Sequence, residues 1–116
     1  MRAALLALLL PACGTQDRPA TWSYLSTAVF EPNCAAAGCH STLARTANIV
    51  LEGREAGYQS LVRRRRPFVV PGDPTSSRLV YLLDGDVTIR MPPDAPLPAA
   101  DVDLVEEWIL LGARND

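Results

Sequence analysis

"EPNCAAAGCHST", Glu31 to Thr42, sets two cysteines five positions apart and follows the second at once with the only histidine of the chain. Thiols and an imidazole placed this closely serve a metal clip, a disulfide with a bystander, or a covalently held prosthetic group. The chain's 116 residues bound it at one small domain. With 48% hydrophobic and 21% charged residues, it belongs to the globular class. A core of this size is marginal, and such domains lean on a cofactor, metal or disulfide when their loops are long. Ten prolines predict long loops. The net charge of -2 gives no reason to expect nucleic acid as a partner. All the basic residues are arginines.

The start reads as an export signal. Arg2 supplies a minimal positive region, Ala3 to Leu10 form an apolar run, and "LPAC" (Leu10 to Cys13) follows. The run is too short to span a bilayer as a helix. "LPAC" resembles a bacterial lipobox, in which the cysteine becomes the lipidated first residue of the mature chain; Gly14 resembles lipoproteins passed on to the outer membrane. Three cysteines are an odd number for an exported protein. Lipidation of Cys13 resolves this and leaves Cys34 and Cys39 as a pair. The expected organisation is a signal peptide over 1–12, a lipidated tether over 13–20 and a folded domain over 21–116.

In the mature chain the apolar spacing predicts only helices. Thr21 to Pro32 carries Trp22, Leu25, Val29 and Phe30 at helical spacing. Thr21 is its expected cap, and Pro32 its expected end, just before the cysteines. Arg54 to Arg65 predicts a second helix with Tyr58, Leu61 and Val62 inward. In Val69 to Leu83 a Pro-Gly turn precedes a helix with Asp73 as N-cap and Pro74 in its first turn. "MPPDAPLP" (Met91 to Pro98) is an ordered, extended loop, because its prolines lack donors and fix φ. The last helix, Ala99 to Leu111, buries Val102, Val105, Trp108 and Ile109. Asp101 and Asp103 suit its N-terminal dipole, and Gly112 stops it. The expected class is all-α with long loops.

Three chemistries compete at Cys34, Cys39 and His40. A structural zinc site needs four ligands, and the chain has no second histidine and no spare cysteine; adjacent Cys39 and His40 also rarely face one tetrahedral ion. A Cys34–Cys39 disulfide is compatible with export and closes a small loop, but gives His40 no task. Covalent haem uses two cysteines and a histidine directly after the second as iron ligand. The four small residues "AAAG" between the cysteines, where two are usual, let a longer loop bulge without striking the ring. Apart from the initiator, Met91 is the only methionine. It reads either as a buried gap-filler or, beside this cluster, as the second axial ligand.

With these residues in view, the chain resembles small class I cytochromes c of the planctomycete type, found as domains of exported bacterial proteins. The resemblance runs from about Tyr24 to Ala113 through "VFEPNCAAAGCH", "VVPGDPTSSRLVYLL", "RMPPDAPLP" and "VEEWILLGA". It departs from the family in the four-residue cysteine gap, and in Pro98, where a helix-capping serine is usual. It implies one heme c attached through Cys34 and Cys39, with His40 and Met91 as axial ligands of the haem iron. The implied protein is a lipid-anchored electron carrier facing the periplasm, with a redox protein as partner and no open iron site for catalysis. Rival expectations are a haem-free structural lipoprotein with the disulfide, or a haem sensor with a labile Met91. "RRRR", Arg63 to Arg66, is a solvated charge run, a contact for haem propionates, or a docking site for an acidic redox partner. Charge is segregated, since acidic residues dominate from Asp84 onward.

Overall fold

The computed structural model describes residues 17–86 and 88–116. The described part is all-α, with no strand and no helix long and apolar enough to cross a membrane. The stretch expected to be a signal peptide, 1–12, and Cys13 lie outside the described residues.

Helix α1 covers 22–34. It is built from an α turn (Trp22–Leu25), a π-helical stretch (Ser26–Phe30) and a final α turn (Glu31–Cys34). Thr21 caps it as expected: its extended backbone turns the side-chain oxygen to accept from the Tyr24 amide. The Trp22 and Ser23 amides donate to Asp116, one to its carboxylate and one to its carbonyl, each at 2.9 Å. A negative group there also complements the helix dipole.

Pro32 does not end this helix. A proline inside an α-helix removes one hydrogen bond, and its ring strikes the carbonyl four residues back. Here the Glu31 amide instead bonds to Ser26, five residues back. This wider turn, set just before Pro32, relieves the crowding, and the Asn33 side chain donates to the Val29 carbonyl at 2.7 Å. The helix therefore runs on to deliver Cys34 on its last turn.

Helix α2 covers 54–63, an α segment (Arg54–Tyr58) followed by a π stretch (Gln59–Arg63). Its start is fixed by Gly53, whose φ of 89° suits glycine and whose amide donates to Glu31 at 2.8 Å. Tyr58 and Leu61 are buried and Val62 half-buried, as the apolar spacing requires. Helix α3, Arg78–Asp84, starts later than expected, with Ser77 as its N-terminal flank. Asp73 caps the preceding turn instead, accepting from the Thr75 hydroxyl at 2.7 Å and the Ser76 amide at 3.1 Å. The Ser77 hydroxyl lies 2.9 Å from the Val70 amide, which donates to it; this pins the extended segment against α3.

Helix α4, Ala99–Leu110, buries Val102, Val105, Trp108 and Ile109 as its spacing demands, and Leu104 with them. Its end is a Schellman motif: Gly112 donates to Ile109 and Ala113 to Trp108, both at 2.9 Å. Gly112 sits at φ 106°, a conformation that glycine adopts without strain. Pro98 offers the first turn no side-chain cap. Asp101 is there, but it is buried and paired with Arg18 at 2.6 Å, and Arg18 also donates to the Ala100 carbonyl. Thus the folded part reaches back to Arg18, inside the segment expected to be tether. Asp103 is exposed.

The core has two parts. One is aromatic: Trp22 stacks on Trp108 at 5.1 Å between centroids, with Phe30 and Tyr58 packed around them. Its polar atoms are satisfied: Trp22 donates to the Arg54 carbonyl, Trp108 to that of Arg114, and Tyr58 to that of Ala113. This matters because a buried donor without a partner costs about 1–3 kcal/mol. The other part is aliphatic and surrounds the cleft described next.

Candidate functional site

Cys34 ends α1, and the next four residues fold into a tight bulge. Within it the Cys39 amide donates to Ala36 and the His40 amide reaches back to the Cys34 carbonyl at 3.0 Å. "AAAG" is thus absorbed locally, and His40 still lies one backbone hydrogen bond from Cys34. Leu51 donates to the His40 carbonyl at 2.8 Å, and the Thr42 amide and hydroxyl both donate to Glu52 at 2.6 Å. These bonds close the loop after the histidine. They also hold the Glu52 carboxyl below its ordinary range.

The imidazole is oriented by backbone oxygens. His40 Nδ1 lies 3.1 Å from the Thr46 carbonyl and 3.3 Å from that of Ile49. Carbonyls only accept, so Nδ1 carries the proton in the neutral ring and Nε2 keeps its lone pair. Ligating histidines are commonly held this way, because the second hydrogen bond fixes tautomer and ring direction.

Met91 is supplied by the loop that follows α3. Its amide donates to the Leu82 carbonyl on α3 at 2.7 Å, which anchors the start of the proline loop. The side chain is not buried packing: the residue is 39% exposed.

These residues meet at one cleft. An inner apolar cavity of about 50 Å³ is lined by Cys34, His40 and Met91 together with Phe30, Ile49, Leu61, Phe68, Leu79 and Leu83, among others. An outer, more open cavity of about 320 Å³ adds Cys39, Thr46 and the prolines 92 and 93 to the same three residues. All four residues singled out in the sequence therefore line a shared cleft. Both π-helical stretches feed it, one through Phe30 and the other through Leu61. Such turns recur at functional sites because they re-aim a side chain. Phe30 and Leu79 line the inner cavity, whereas the stacked Trp22 and Trp108 line neither.

Both cysteines carry free thiols. Cys34 is buried, and desolvation, with a smaller contribution from Cys39, pushes its thiol up to about 11. It is protonated at neutral pH, a poor state for a thiolate metal ligand. Among the described residues no group of three His, Cys, Asp or Glu side chains is placed to hold a metal ion.

Sequence reasoning missed the Thr46 and Ile49 carbonyls that orient His40. A backbone oxygen leaves no mark in the sequence; the only signal was the small "TAN" turn at Thr46–Asn48.

Comparison with family models, with curated proteins and with solved structures finds no match to this chain.

Proposed function

We propose that this chain is a monohaem c-type cytochrome that carries single electrons in the bacterial cell envelope. One observation carries the reading: two thiols, an imidazole with Nε2 free and a thioether line one apolar cleft. The donor set fits heme c, since two thiols can take up the ring edge and an imidazole with a thioether suits iron in a porphyrin. Bound haem would supply a one-electron iron couple, shifted toward the ferrous state by a thioether ligand.

The chain's own residues do the rest. Cys34 and Cys39 would hold the ring edge as thioethers, from the end of α1 and from the bulge. His40 would offer Nε2, steadied by the Thr46 and Ile49 carbonyls, and Met91 its sulfur. Phe30, Leu61, Phe68 and Leu79 line the inner side with apolar surface, which would keep water from a bound haem and lower the dielectric around it. The outer mouth, between the "AAAG" bulge and Pro92–Pro93, leaves an edge reachable for electron exchange. If His40 and Met91 both held the iron, no position would stay open for substrate, and the role would be transfer rather than catalysis. Export and anchoring through a lipid on Cys13, with the domain facing the periplasm from the outer membrane, complete the proposal.

The test is the protein co-expressed with a competent cytochrome maturation system. Intact mass should show one haem retained through acid–acetone extraction, and a pyridine haemochrome spectrum should show the thioether-linked type. A mass that fits only a Cys34–Cys39 disulfide would sink the reading.

A further inference from the structure

The tetra-arginine run is not a uniformly solvated face. A separate open cleft of about 470 Å³ is lined by Arg45 and Asn48, from the loop after His40, and by Gln59, Arg64, Arg65 and Arg66, from the end of α2 and just beyond. No carboxylate lines it. The ion pairs among the described residues are Arg18–Asp101 and Arg114–Asp116, so these four guanidiniums stay uncompensated. Arg64 lies over the Phe68 ring at 5.1 Å, and its Nη1 is buried without a hydrogen-bond partner. Stacking also holds the planar guanidinium in place while leaving N–H groups in its plane for a carboxylate.

We propose that this cleft is a docking site for an acidic protein surface, one presenting several carboxylates together. A single phosphate would fill only part of an open void of this size. A flat anionic bilayer would lie across the rim and not enter the cleft between the Arg45 loop and Arg64 to Arg66. A convex protein patch with aspartate and glutamate side chains reaches both. Arg45 and Asn48 flank Thr46, whose carbonyl holds His40. A docked partner would therefore sit behind the His40 loop, with the acidic stretch from Asp84 onward helping to orient it. That this partner exchanges electrons rests on the function proposed above; the docking itself does not.

The experiment uses the full chain and poly-L-glutamate as probe, with calorimetric titration at low salt. Binding should weaken with added salt and fall roughly five- to tenfold in Arg65→Gln/Arg66→Gln, both exposed residues. It should change little in Arg54→Gln/Arg114→Gln, which removes the same charge elsewhere. Equal losses in the two variants would overturn the proposal, as would no binding at all. So would tighter binding, through Arg65 and Arg66, of inorganic pyrophosphate or phosphatidylglycerol vesicles. A chain that never takes up haem but still binds polyglutamate through Arg65 and Arg66 would keep the docking site and refute only the electron-carrier reading.

Discussion

His40 Nδ1 lies 3.1 Å from the Thr46 carbonyl oxygen, six residues further along the chain. The bond makes the histidine loop a self-contained unit, since the ring is fixed by the segment that follows it. The expected consequence is a single neutral tautomer with the proton on Nδ1. Long-range nitrogen–proton spectra of the haem-free protein can read this without ambiguity, because the chain has one histidine. A neutral ring protonated on Nε2 would show that this nitrogen is not available to the cleft.

The two cysteines should differ in reactivity. Cys39 is exposed, whereas Cys34 is buried with its thiol held up to about 11. Iodoacetamide on haem-free protein at pH 8, read by peptide mass mapping, should modify Cys39 first and Cys34 at least tenfold more slowly. Unfolding in denaturant should make their rates alike. Similar rates in the folded protein would contradict the burial.

The same burial sets a pH dependence. The thiol's ordinary value is 9.0 and its folded value about 11. Below pH 9 both states keep the proton, and the contribution to stability is fully present. Between 9 and 11 the unfolded chain ionises first, so stability is lost as pH rises. The full effect is about 3 kcal/mol. Haem-free Cys34→Ser should therefore show a flatter fall in melting temperature over this window than the parent. Parallel curves would mean that Cys34 is not shielded.

Helix positions were legible because buried aliphatic and aromatic residues repeat at helical spacing, and Gly112 marked the last stop correctly. The Cys34, Cys39 and His40 cluster was legible from adjacency alone, and Met91 from being the only internal methionine. What escaped were features set by backbone geometry. Pro32 reads as a terminator, yet a wider turn just before it lets the helix continue. Asp73 and Pro74 read as a helix start, yet they cap a separate turn that Ser77 ties to Val70. Arg18 reads as tether, because nothing local in the sequence points to Asp101, 83 residues away. The cleft itself depends on Phe30, Leu61 and Leu79 converging from three helices, which no local pattern encodes.

The aromatic part of the core makes one packing prediction. A Cβ placed on Gly57 would stand 2.9 Å from the Trp22 ring. That ring is fully buried, stacked on Trp108 and hydrogen-bonded to Arg54, so it has little room to yield. Gly57→Ala should therefore destabilise the fold by about 1–3 kcal/mol, although alanine is the better helix former. Chemical denaturation measures this directly. A neutral or stabilised variant would mean that α2 and Trp22 do not approach so closely.

Met91→Ala tests the thioether in the cleft wall. The Met91 amide is held by Leu82, and the amide remains in the variant, so the loop should keep its anchor. The residue is 39% exposed, so removing its side chain opens little buried space and should cost the fold less than about 1 kcal/mol. If its sulfur ligates iron, the functional effect is out of proportion to that small loss. The ferric protein should lose its red-region sulfur–iron band, and the reduced protein should bind carbon monoxide readily. The potential should fall, because the ligand favouring ferrous iron has gone. A parent protein that already binds carbon monoxide freely would instead point to a labile Met91 and a ligand-sensing site. An unchanged ferric spectrum in Met91→Ala would leave the methionine as a cleft-wall residue and the sixth position to another group.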